Sequence, residues 1–384
     1  MQNRIGIIYP TNYLPTIPSL VATINLLVEN DYEIDLFTCD KKNISHQIFN
    51  TEKVKEYNLN EKYKTGTIMW KINYFFSWLP QIILKCKKRK YSILIGIDPW
   101  GLMLAGFAGK IARIPFAYFS LELHFSNEIT SRYIKIVKGL ERYYNRLASF
   151  TIIQDKERAE LIRKENYLRN NAKIICLPNS SDGEVKKIKT KYLRDKFKFS
   201  NNKIVVLNSG SIHPIFMNIE VAQAARIWRN DLVLIFHTGR ELNYKYYYIK
   251  EFLREIDNTT IFLNATQLLD AEYDEMVSSA NIGLAFYKPI SKNIYYMGLS
   301  SGKISKYLQC GLPVIVSDLP SLRKMVNEYK CGVSINDMNQ LEPAIEKIMS
   351  DYHKYSENAV NCFNEIFYFR KHFSELNKCL MGLE

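Results

Sequence analysis

The stretch that decides the fold reads Gly298-Leu-Ser-Ser-Gly-Lys-Ile-Ser-Lys-Tyr-Leu-Gln-Cys-Gly-Leu-Pro-Val-Ile-Val-Ser-Asp-Leu-Pro320. Its small residues predict a turn, followed by a short helix over residues 303–310 and a stop at Gly311. The apolar run at 314–316 predicts a buried strand directly afterwards. The order turn, helix and strand is typical of one unit of an α/β protein.

The start of this predicted helix has the features of an anion site. Ser300, Ser301 and Gly302 lie where the first backbone N–H groups of a helix lack partners, and the positive end of the helix dipole points the same way. Gly302 lets a phosphate approach the backbone, and Lys303 places a cation beside it. The alternative is an ordinary capped helix between two strands.

Strands and helices alternate along the rest of the chain. Predicted strands at 4–9, 33–38, 93–97, 116–119, 150–153 and 174–177 precede a second set at 204–207, 232–236, 260–263, 282–285 and 314–316. Such alternation is the pattern of parallel sheets. The charged segment 180–202 has little apolar periodicity, which predicts a linker. The 384 residues therefore fit two domains of about 180 residues each.

Four pieces, in this order, resemble the glycosyltransferase group 1 family of retaining enzymes, which have the GT-B fold. The block at 298–320 is similar to the family's nucleotide-sugar-binding segment, with its Lys-led helix, Gly-x-Pro-Val-Ile and Ser-Asp-x-Pro. Pro178-Asn179 resembles the interdomain Pro-Asn of the family. Residues 208–212 resemble the first strand and loop of its C-terminal domain, and 268–289 resemble the helix and strand before its donor loop.

The resemblance implies an α/β protein of the GT-B type, with two Rossmann-like parallel-sheet domains facing a central cleft. We expect an acceptor-side domain at 1–185 and a nucleotide-sugar donor domain at 186–355. Residues 356–384 are expected to form a helix that crosses back to the first domain. An apolar stripe at spacings of four and three, from Cys362 to Leu380, favours one long helix there.

Ligands of such folds bind beyond the carboxyl ends of the strands, so the candidate residues follow strands. The resemblance implies that the loop after the first C-terminal strand and the turn at 300–303 hold the diphosphate, and that residues near Gln267 meet the base. The donor-binding candidates are Ser209, Gly210, Ser211, His213, Gly239, Arg240, Gln267, Tyr287, Ser300, Ser301, Gly302, Lys303 and Lys306.

The chain departs from the family at two positions. Retaining members carry two Glu residues separated by seven others, and these positions are Gly298 and Lys306 here. A lysine cannot accept the hydrogen bonds that the second Glu accepts from the donor ribose. The Arg and Lys that usually neutralise the diphosphate are also missing from 211–218. We expect Lys303 and Lys306 to supply that charge.

The acceptor side is expected at 10–18, 98–101 and 119–124, by the same resemblance. A carboxylate or imidazole there can orient an acceptor hydroxyl or stabilise positive charge that develops on the sugar. The catalytic candidates are Glu122, His124 and Asp98, in this order. The alternative is that Glu122 and His124 are a surface pair beside a helix start. The family needs no metal, and no His, Asp or Glu cluster here has metal-ligand spacing.

The composition is that of a globular protein, with 47% hydrophobic and 24% charged residues. There is no signal-peptide pattern, and the longest uncharged apolar stretch, 72–84, is shorter than the about 20 residues of a membrane-spanning helix. Seven cysteines without a C-x-x-C pair predict free thiols in a reducing compartment. We therefore expect a cytoplasmic protein.

The net charge of +13 points to an anionic partner. Segment 62–90 combines Trp70 and Trp78 with five cations at 85–90, and a second basic stretch follows at 132–146. Basic residues with interfacial aromatics suit an anionic membrane, which predicts a peripheral position at the inner membrane face. The alternative is core aromatics beside a basic helix end. No nucleic-acid-binding module is recognised, so nucleic acid is not an expected partner.

The sequence and the resemblance together predict a metal-independent, hexosyltransferase-like glycosyltransferase. It would move a sugar from a UDP- or GDP-type nucleotide sugar, without a cofactor, to a hydroxyl of a lipid-linked saccharide in surface polysaccharide biosynthesis. One alternative is a catalytically silent GT-B subunit that binds nucleotide or glycan. The other is a nucleotide-sugar 2-epimerase of the same fold, which needs cleft carboxylates and histidines in which this chain is poor.

Overall fold

The structure, a computed structural model, describes residues 3–11, 14–39, 49, 51–59, 67 and 73–382. The chain divides into two compact units. One comprises Met1–Asp182 with Phe369–Glu384, and the other comprises Gly183–Tyr368.

The first unit is built on a seven-stranded parallel sheet with the order β3-β2-β1-β4-β5-β6-β7. Its strands are β1 Arg4–Tyr9, β2 Glu33–Thr38, β3 Val54–Asn58, β4 Ile93–Ile97, β5 Phe116–Phe119, β6 Thr151–Ile153 and β7 Ile174–Cys176. Its helices are α1 Pro18–Glu29, α2 Leu79–Lys88, α3 Asp98–Ala112, α4 Arg132–Asn145 and α5 Lys156–Glu165. The strand order reverses between β1 and β4, and ligands of such sheets bind beyond the carboxyl ends at this point.

The second unit has a six-stranded parallel sheet with the order β10-β9-β8-β11-β12-β13. Its strands are β8 Ile204–Ser209, β9 Leu232–His237, β10 Ile261–Asn264, β11 Ile282–Ala285, β12 Val314–Ser317 and β13 Gly332–Ile335. Its helices are α6 Tyr192–Phe197, α7 Asn218–Ala225, α8 Tyr247–Arg254, α9 Asp270–Ser278, α10 Lys292–Tyr295, α11 Gly302–Gln309, α12 Pro320–Tyr329, α13 Leu341–Met349 and α14 Tyr352–Cys362. The order reverses between β8 and β11.

Five predicted strands have the predicted bounds, and six others differ by one or two residues at their ends. The sequence analysis missed β3 and β13, one of the two edge strands of each sheet. Both are short, and most of their residues are not fully buried. A short, partly exposed strand carries a weak apolar signal in its sequence.

The charged segment predicted as a linker belongs mostly to the second unit. Leu193 of α6 is fully buried in its core, and the Arg194 guanidinium donates to the carbonyls of Ser279 and Lys203. The two units divide between Asp182 and Gly183. Charged residues with fixed partners look like a solvated linker in the sequence, because their partners are distant along the chain.

The apolar stripe expected to form one helix is divided between the units. Helix α14 runs through a π-helical turn, Phe363–Phe367, to the extended backbone of Tyr368. A separate helix, α15 Phe369–Met381, then begins. Cys362 is buried in the core of the second unit, whereas Phe369 and Leu376 are buried in that of the first.

Helix α15 packs against α1 in the first unit. The Arg370 guanidinium binds the Glu29 carboxylate at 2.9 Å and the Asp182 carboxylate at 2.7 Å. Across the described residues, no helix is both long and apolar enough to span a bilayer.

Candidate functional site

The predicted donor residues lie at the carboxyl edge of the second sheet, around the amino end of α11. Ser301 precedes this helix in extended conformation, and its hydroxyl accepts the N–H of Ile304 at 3.4 Å. The Tyr287 hydroxyl, after β11, lies 2.6 Å from the same oxygen. Both side chains are buried. Their hydroxyls therefore fix the helix to the sheet, a structural role that the sequence does not predict. The backbone N–H of Ser300 donates to the Met297 carbonyl at 2.8 Å, within the turn that precedes α11.

Lys303 follows in the first turn of α11. Its Nζ lies 4.9 Å from the ring centroid of Phe216 and 5.5 Å from that of Tyr287. Burial lowers the pKa of Lys303 to about 8, since a cation loses solvation among these rings. No carboxylate in the described part of the chain forms an ion pair with it. An anion bound here would offset that loss of solvation.

The loop after β8 lies directly beside Lys303. Gly210 has a φ of 131°, a conformation that side chains rarely adopt, and its N–H donates to the His237 carbonyl at 2.9 Å. A Cβ built on Gly210 would lie 3.4 Å from Nζ of Lys303. The structure thus brings together the two loops that the sequence predicts to hold the diphosphate.

The serines of this loop have different surroundings. Ser209 is buried, with its N–H donating to the Tyr307 hydroxyl at 2.7 Å and its hydroxyl 2.9 Å from that of Tyr273. Ser211 is only half-buried. Tyr273 and Tyr307 are residues that the sequence analysis missed. Tyr307 lies one helical turn after Lys303, and a Cβ on Gly283 would lie 2.4 Å from its ring, so a glycine inside a strand is the available signal.

Exposed residues follow the neighbouring strands. Gly239, Arg240 and Gln267 are exposed, and a Cβ on Gly239 would lie 3.8 Å from Cα of Gln267. The loops after β9 and β10 therefore lie side by side. His213 is exposed, and its Nδ1 accepts the Ile215 N–H at 3.3 Å, which caps the turn Pro214–Phe216.

His237, at the end of β9, is buried, and its Nδ1 has no hydrogen-bond partner among the described residues. Burial lowers the pKa of His237 to about 4, so its imidazole is neutral at pH 7.

Lys306 is placed differently from its prediction. Its Nζ lies 2.6 Å from Oδ1 of Asp274, and the other oxygen of this buried carboxylate binds Lys186 at 2.7 Å. The Lys306 ammonium is thus engaged with Asp274, and its contribution of charge to a diphosphate stays a prediction. Lys306 and Lys186 together neutralise this buried carboxylate on α9.

The three catalytic candidates line one pocket of the first unit, with a volume of about 320 Å³. It lies at the carboxyl ends of β1, β4 and β5, where the strand order reverses. Glu122 and His124 are exposed, and Asp98 is partly buried. Pro10 and Trp100 also line this pocket, as the expected acceptor-side ranges predict.

Asp98 is the perturbed carboxyl group of this pocket. Burial raises the pKa of Asp98 to about 7, and the charge of Glu122 adds to this. Its Oδ1 accepts the N–H groups of Leu121 at 2.9 Å and Glu122 at 3.2 Å, so it also holds the loop after β5. A carboxyl group that titrates near neutrality can act as a general acid or base.

Three charged residues at or near this pocket, Lys138, Glu141 and Arg158, are buried, which the sequence did not predict. The Arg158 guanidinium is buried and donates to the Leu121 carbonyl at 3.1 Å. Lys138 and Glu141, both lining the pocket, form a buried ion pair at 3.1 Å, and burial lowers the pKa of Lys138. Arg158 lies on α5, and only the tertiary fold brings it to this loop.

The aromatic residues of the predicted membrane segment are only partly as expected. Trp78 and Tyr74 are fully buried in the core of the first unit, which corrects the interpretation of Trp78 as a membrane-contacting side chain. Phe76 is 81% exposed. Trp70 lies outside the described residues.

Solved structures of similar fold cover nearly the whole chain. Sucrose-phosphate synthase from Thermosynechococcus elongatus has 15% identity and a TM-score of 0.73, with 99% of this chain and 98% of that chain covered. HepE from Anabaena, solved with UDP and glucose, has 15% identity and a TM-score of 0.73, with 99% of each chain covered. A putative UDP-N-acetylglucosamine 2-epimerase from Listeria monocytogenes has 13% identity and a TM-score of 0.61, with 98% of each chain covered.

The chain has the GT-B fold. Residues 265–372 match the family model of the glucosyltransferase 3-like C-terminal domain, which includes β11, α11 and β12. No curated protein sequence matches the chain. Membership of the retaining group 1 family stays a prediction.

The geometry supports anion binding in the second unit and proton transfer in the first. No group of three or more His, Cys, Asp or Glu side chains within the described ranges could hold a metal ion. The metal independence of the reaction stays a prediction.

Proposed function

We propose that the protein is a glycosyltransferase that moves a sugar from a UDP- or GDP-type nucleotide sugar to a hydroxyl of a saccharide acceptor. The observation that carries this proposal is the position of the Lys303 ammonium beside Gly210. Burial lowers the pKa of this lysine. A diphosphate there would accept from the ammonium and from first-turn backbone N–H groups of α11.

Two comparisons support a nucleotide-sugar donor. The matched domain model carries a glucosyltransferase description and includes the helix of Lys303. The similar HepE structures contain UDP, UDP with glucose, or UDP-glucose. We therefore propose UDP-glucose as the first donor to test.

In the first unit, we propose that Glu122 orients the acceptor hydroxyl or stabilises positive charge on the sugar. Asp98 accepts the N–H of Glu122 and so holds its loop, and the charge of Glu122 helps to raise the pKa of Asp98. His124 lines the same pocket and is proposed as a further polar contact. Retention of anomeric configuration is the proposed outcome, and NMR of the product's anomeric proton tests it.

The decisive experiment combines nucleotide binding with turnover. Thermal shifts with UDP and GDP should identify the base, and release of the nucleotide from UDP-glucose, with and without saccharide acceptors, should reveal transfer. Binding without any turnover would instead favour a silent GT-B subunit, an alternative motivated by Gly298 and Lys306 at the two Glu positions. Conversion of UDP-N-acetylglucosamine to its 2-epimer would favour the epimerase.

We also propose that the first unit binds an anionic membrane surface, so that the acceptor is a lipid-linked saccharide used for surface polysaccharides at the cytoplasmic face. Helices α2, α3 and α4 are neighbours. Exposed apolar residues lie on these helices or next to their ends, which are Phe76, Leu84, Ile111, Ile136, Tyr143 and Leu147. Exposed cations lie on the same segments, which are Lys87, Lys88, Lys90, Arg113, Lys135 and Arg146.

The acidic residues of these three helices support the same proposal. They are Asp98, which is partly buried, and Glu141, which is paired with Lys138. The exposed residues of these segments therefore combine apolar side chains with an excess of positive charge, as an anionic lipid surface requires.

A further inference from the structure

A second cavity of the first unit lies at the opposite edge of its sheet. It has a volume of about 630 Å³ and is lined by the turn between α4 and β6 and by the loop between α5 and β7. These connections enter the amino ends of β6 and β7. The pocket of Asp98 lies at the carboxyl ends of β1, β4 and β5, so a ligand in this second cavity cannot supply the reacting hydroxyl.

The charge of this cavity has one sign. Arg146, Arg169 and Lys173 line it, and its lining residues, all in the described part of the chain, include no carboxylate. The guanidinium groups of Arg146 and Arg169 form no ion pair with any described residue. Two guanidinium groups without ion pairs among the lining residues attract an anion, and their planar donors match phosphate oxygens.

A buried polar group gives a second, independent indication of a ligand. Asn145 lines the cavity and is 3% exposed. Its Oδ1 accepts the Thr151 hydroxyl at 2.6 Å, but its Nδ2 has no partner among the described residues. An unpaired buried N–H group is unfavourable, and a small shift of this side chain towards the cavity would let an anionic oxygen pair it.

The rim of the cavity indicates an organic ligand rather than a bare ion. Tyr143 and Tyr167 line it. Each ring is held by a cation, with Nζ of Lys110 at 4.4 Å from the first centroid and the Arg142 guanidinium at 4.6 Å from the second. The volume is in the range of small-molecule sites, which is about 300–1,000 Å³.

We propose that this cavity binds a phosphate monoester, carried either by a soluble phosphorylated saccharide or by a lipid headgroup. Arg146 and Arg169 contact the phosphate, and the tyrosine rings contact the attached organic group. Its role is to bind and position, because it lies away from the Asp98 pocket. This inference does not depend on the proposed transferase activity.

Binding of a soluble phosphorylated saccharide is tested by calorimetry with glucose 6-phosphate at low salt. Every protein in this experiment is the full chain with Lys303→Ala, because this substitution removes the cation of the donor region. We expect one binding site per chain and a loss of affinity of about tenfold in Arg146→Gln and again in Arg169→Gln, as expected for a charge-assisted contact. Lys250→Gln and Lys347→Gln are the matched controls, since both lysines are exposed on the second unit and should leave binding unchanged.

Binding of a lipid phosphate monoester is tested by co-sedimentation with phosphatidic acid vesicles and with phosphatidylglycerol vesicles of equal surface charge. Only the first lipid carries a phosphate monoester, so a preference for it should disappear in Arg146→Gln with Arg169→Gln. Asn145→Asp keeps the acceptor of the Thr151 hydroxyl and adds a repelling charge, so it should abolish binding of whichever probe binds.

Circular dichroism should show that all variants remain folded. Dependence of glucose 6-phosphate binding on these residues identifies a soluble ligand, and dependence of the phosphatidic acid preference identifies a lipid. The proposal is overturned if neither probe binds, or if binding of both is unchanged by substitution of Arg146 and Arg169.

Discussion

Lys303 and Gly210 are direct neighbours in the second unit: a methyl group on Gly210 would lie 3.4 Å from Nζ of Lys303. The glycine allows a φ of 131°, which turns the loop after β8 past the lysine. The Lys303 ammonium, which lies among aromatic rings, thus meets the loop backbone at Gly210, a residue without a side chain. This pairing is the physical basis of the proposed diphosphate site.

Replacement of Lys303 by Ala should weaken the binding of UDP or GDP by about 1.5–3 kcal/mol, because a charge-assisted contact is lost. Calorimetry measures the change. Lys250→Ala, an exposed lysine of α8, is the control and should bind normally. Equal affinity of the Lys303→Ala variant and the parent would move the donor site elsewhere.

The affinity for nucleotide should also depend on pH through Lys303. Its pKa of about 8 without ligand must rise when a diphosphate binds, because the bound anion favours the charged ammonium. Affinity should therefore be constant below pH 8 and fall by up to about tenfold per pH unit above it. Calorimetry between pH 7 and 9 checks this. Lys303→Arg remains charged and should remove the fall; an unchanged pH profile in that variant would contradict the assignment.

Lys306→Gln should destabilise the second unit and leave nucleotide affinity unchanged. The Asp274 carboxylate would lose one of its two ammonium partners, at a cost of about 1.5–3 kcal/mol for a hydrogen bond to a charged group. Denaturant unfolding measures the loss, and Lys186→Gln should give a smaller one, because that lysine is more exposed. A large loss of nucleotide affinity in a folded Lys306→Gln protein would restore its predicted donor role.

Glu122→Gln should lower turnover strongly with little change in donor affinity. It should also lower the pKa of Asp98, because the neighbouring negative charge that raises this pKa is removed. If Asp98 acts as a base, the acidic limb of the kcat/KM profile, near pH 7 in the parent, should shift to lower pH. Glu160→Gln, an exposed carboxylate of α5, serves as the control. Full activity of Glu122→Gln would place the reacting centre elsewhere.

Replacement of Lys87, Lys88 and Lys90 by Gln should reduce co-sedimentation with anionic vesicles and leave nucleotide binding unchanged. The effect should be largest at low salt, since surface charges are screened over about 8 Å at physiological ionic strength. Neutral vesicles should bind weakly, through exposed apolar side chains such as Phe76. The matched control replaces Lys245, Lys250 and Lys347 of the second unit. No binding of the parent to anionic vesicles, even at low salt, would indicate a soluble acceptor.

Much of the fold could be predicted because its signals are local. Runs such as Ile93–Ile97 and Ile282–Ala285 are fully buried strands, and such apolar runs are recognisable from a few residues. Helix α11 begins within one residue of its predicted start, because the Ser301 cap and Gly302 are adjacent in sequence. The strands β3 and β13 were not predictable in this way, because most of their residues are not fully buried.

The sequence by itself determined the order of strands and helices, the turn before α11 and the positions of the candidate loops. Only the tertiary structure decided the surroundings of each charge. Lys303 and Lys306 are one helical turn apart, yet one lies among aromatic rings and the other binds Asp274, 32 residues away in sequence. Likewise, Trp78 is buried while Phe76 is exposed. Burial and ion pairing depend on contacts between distant segments, so local sequence patterns do not contain them.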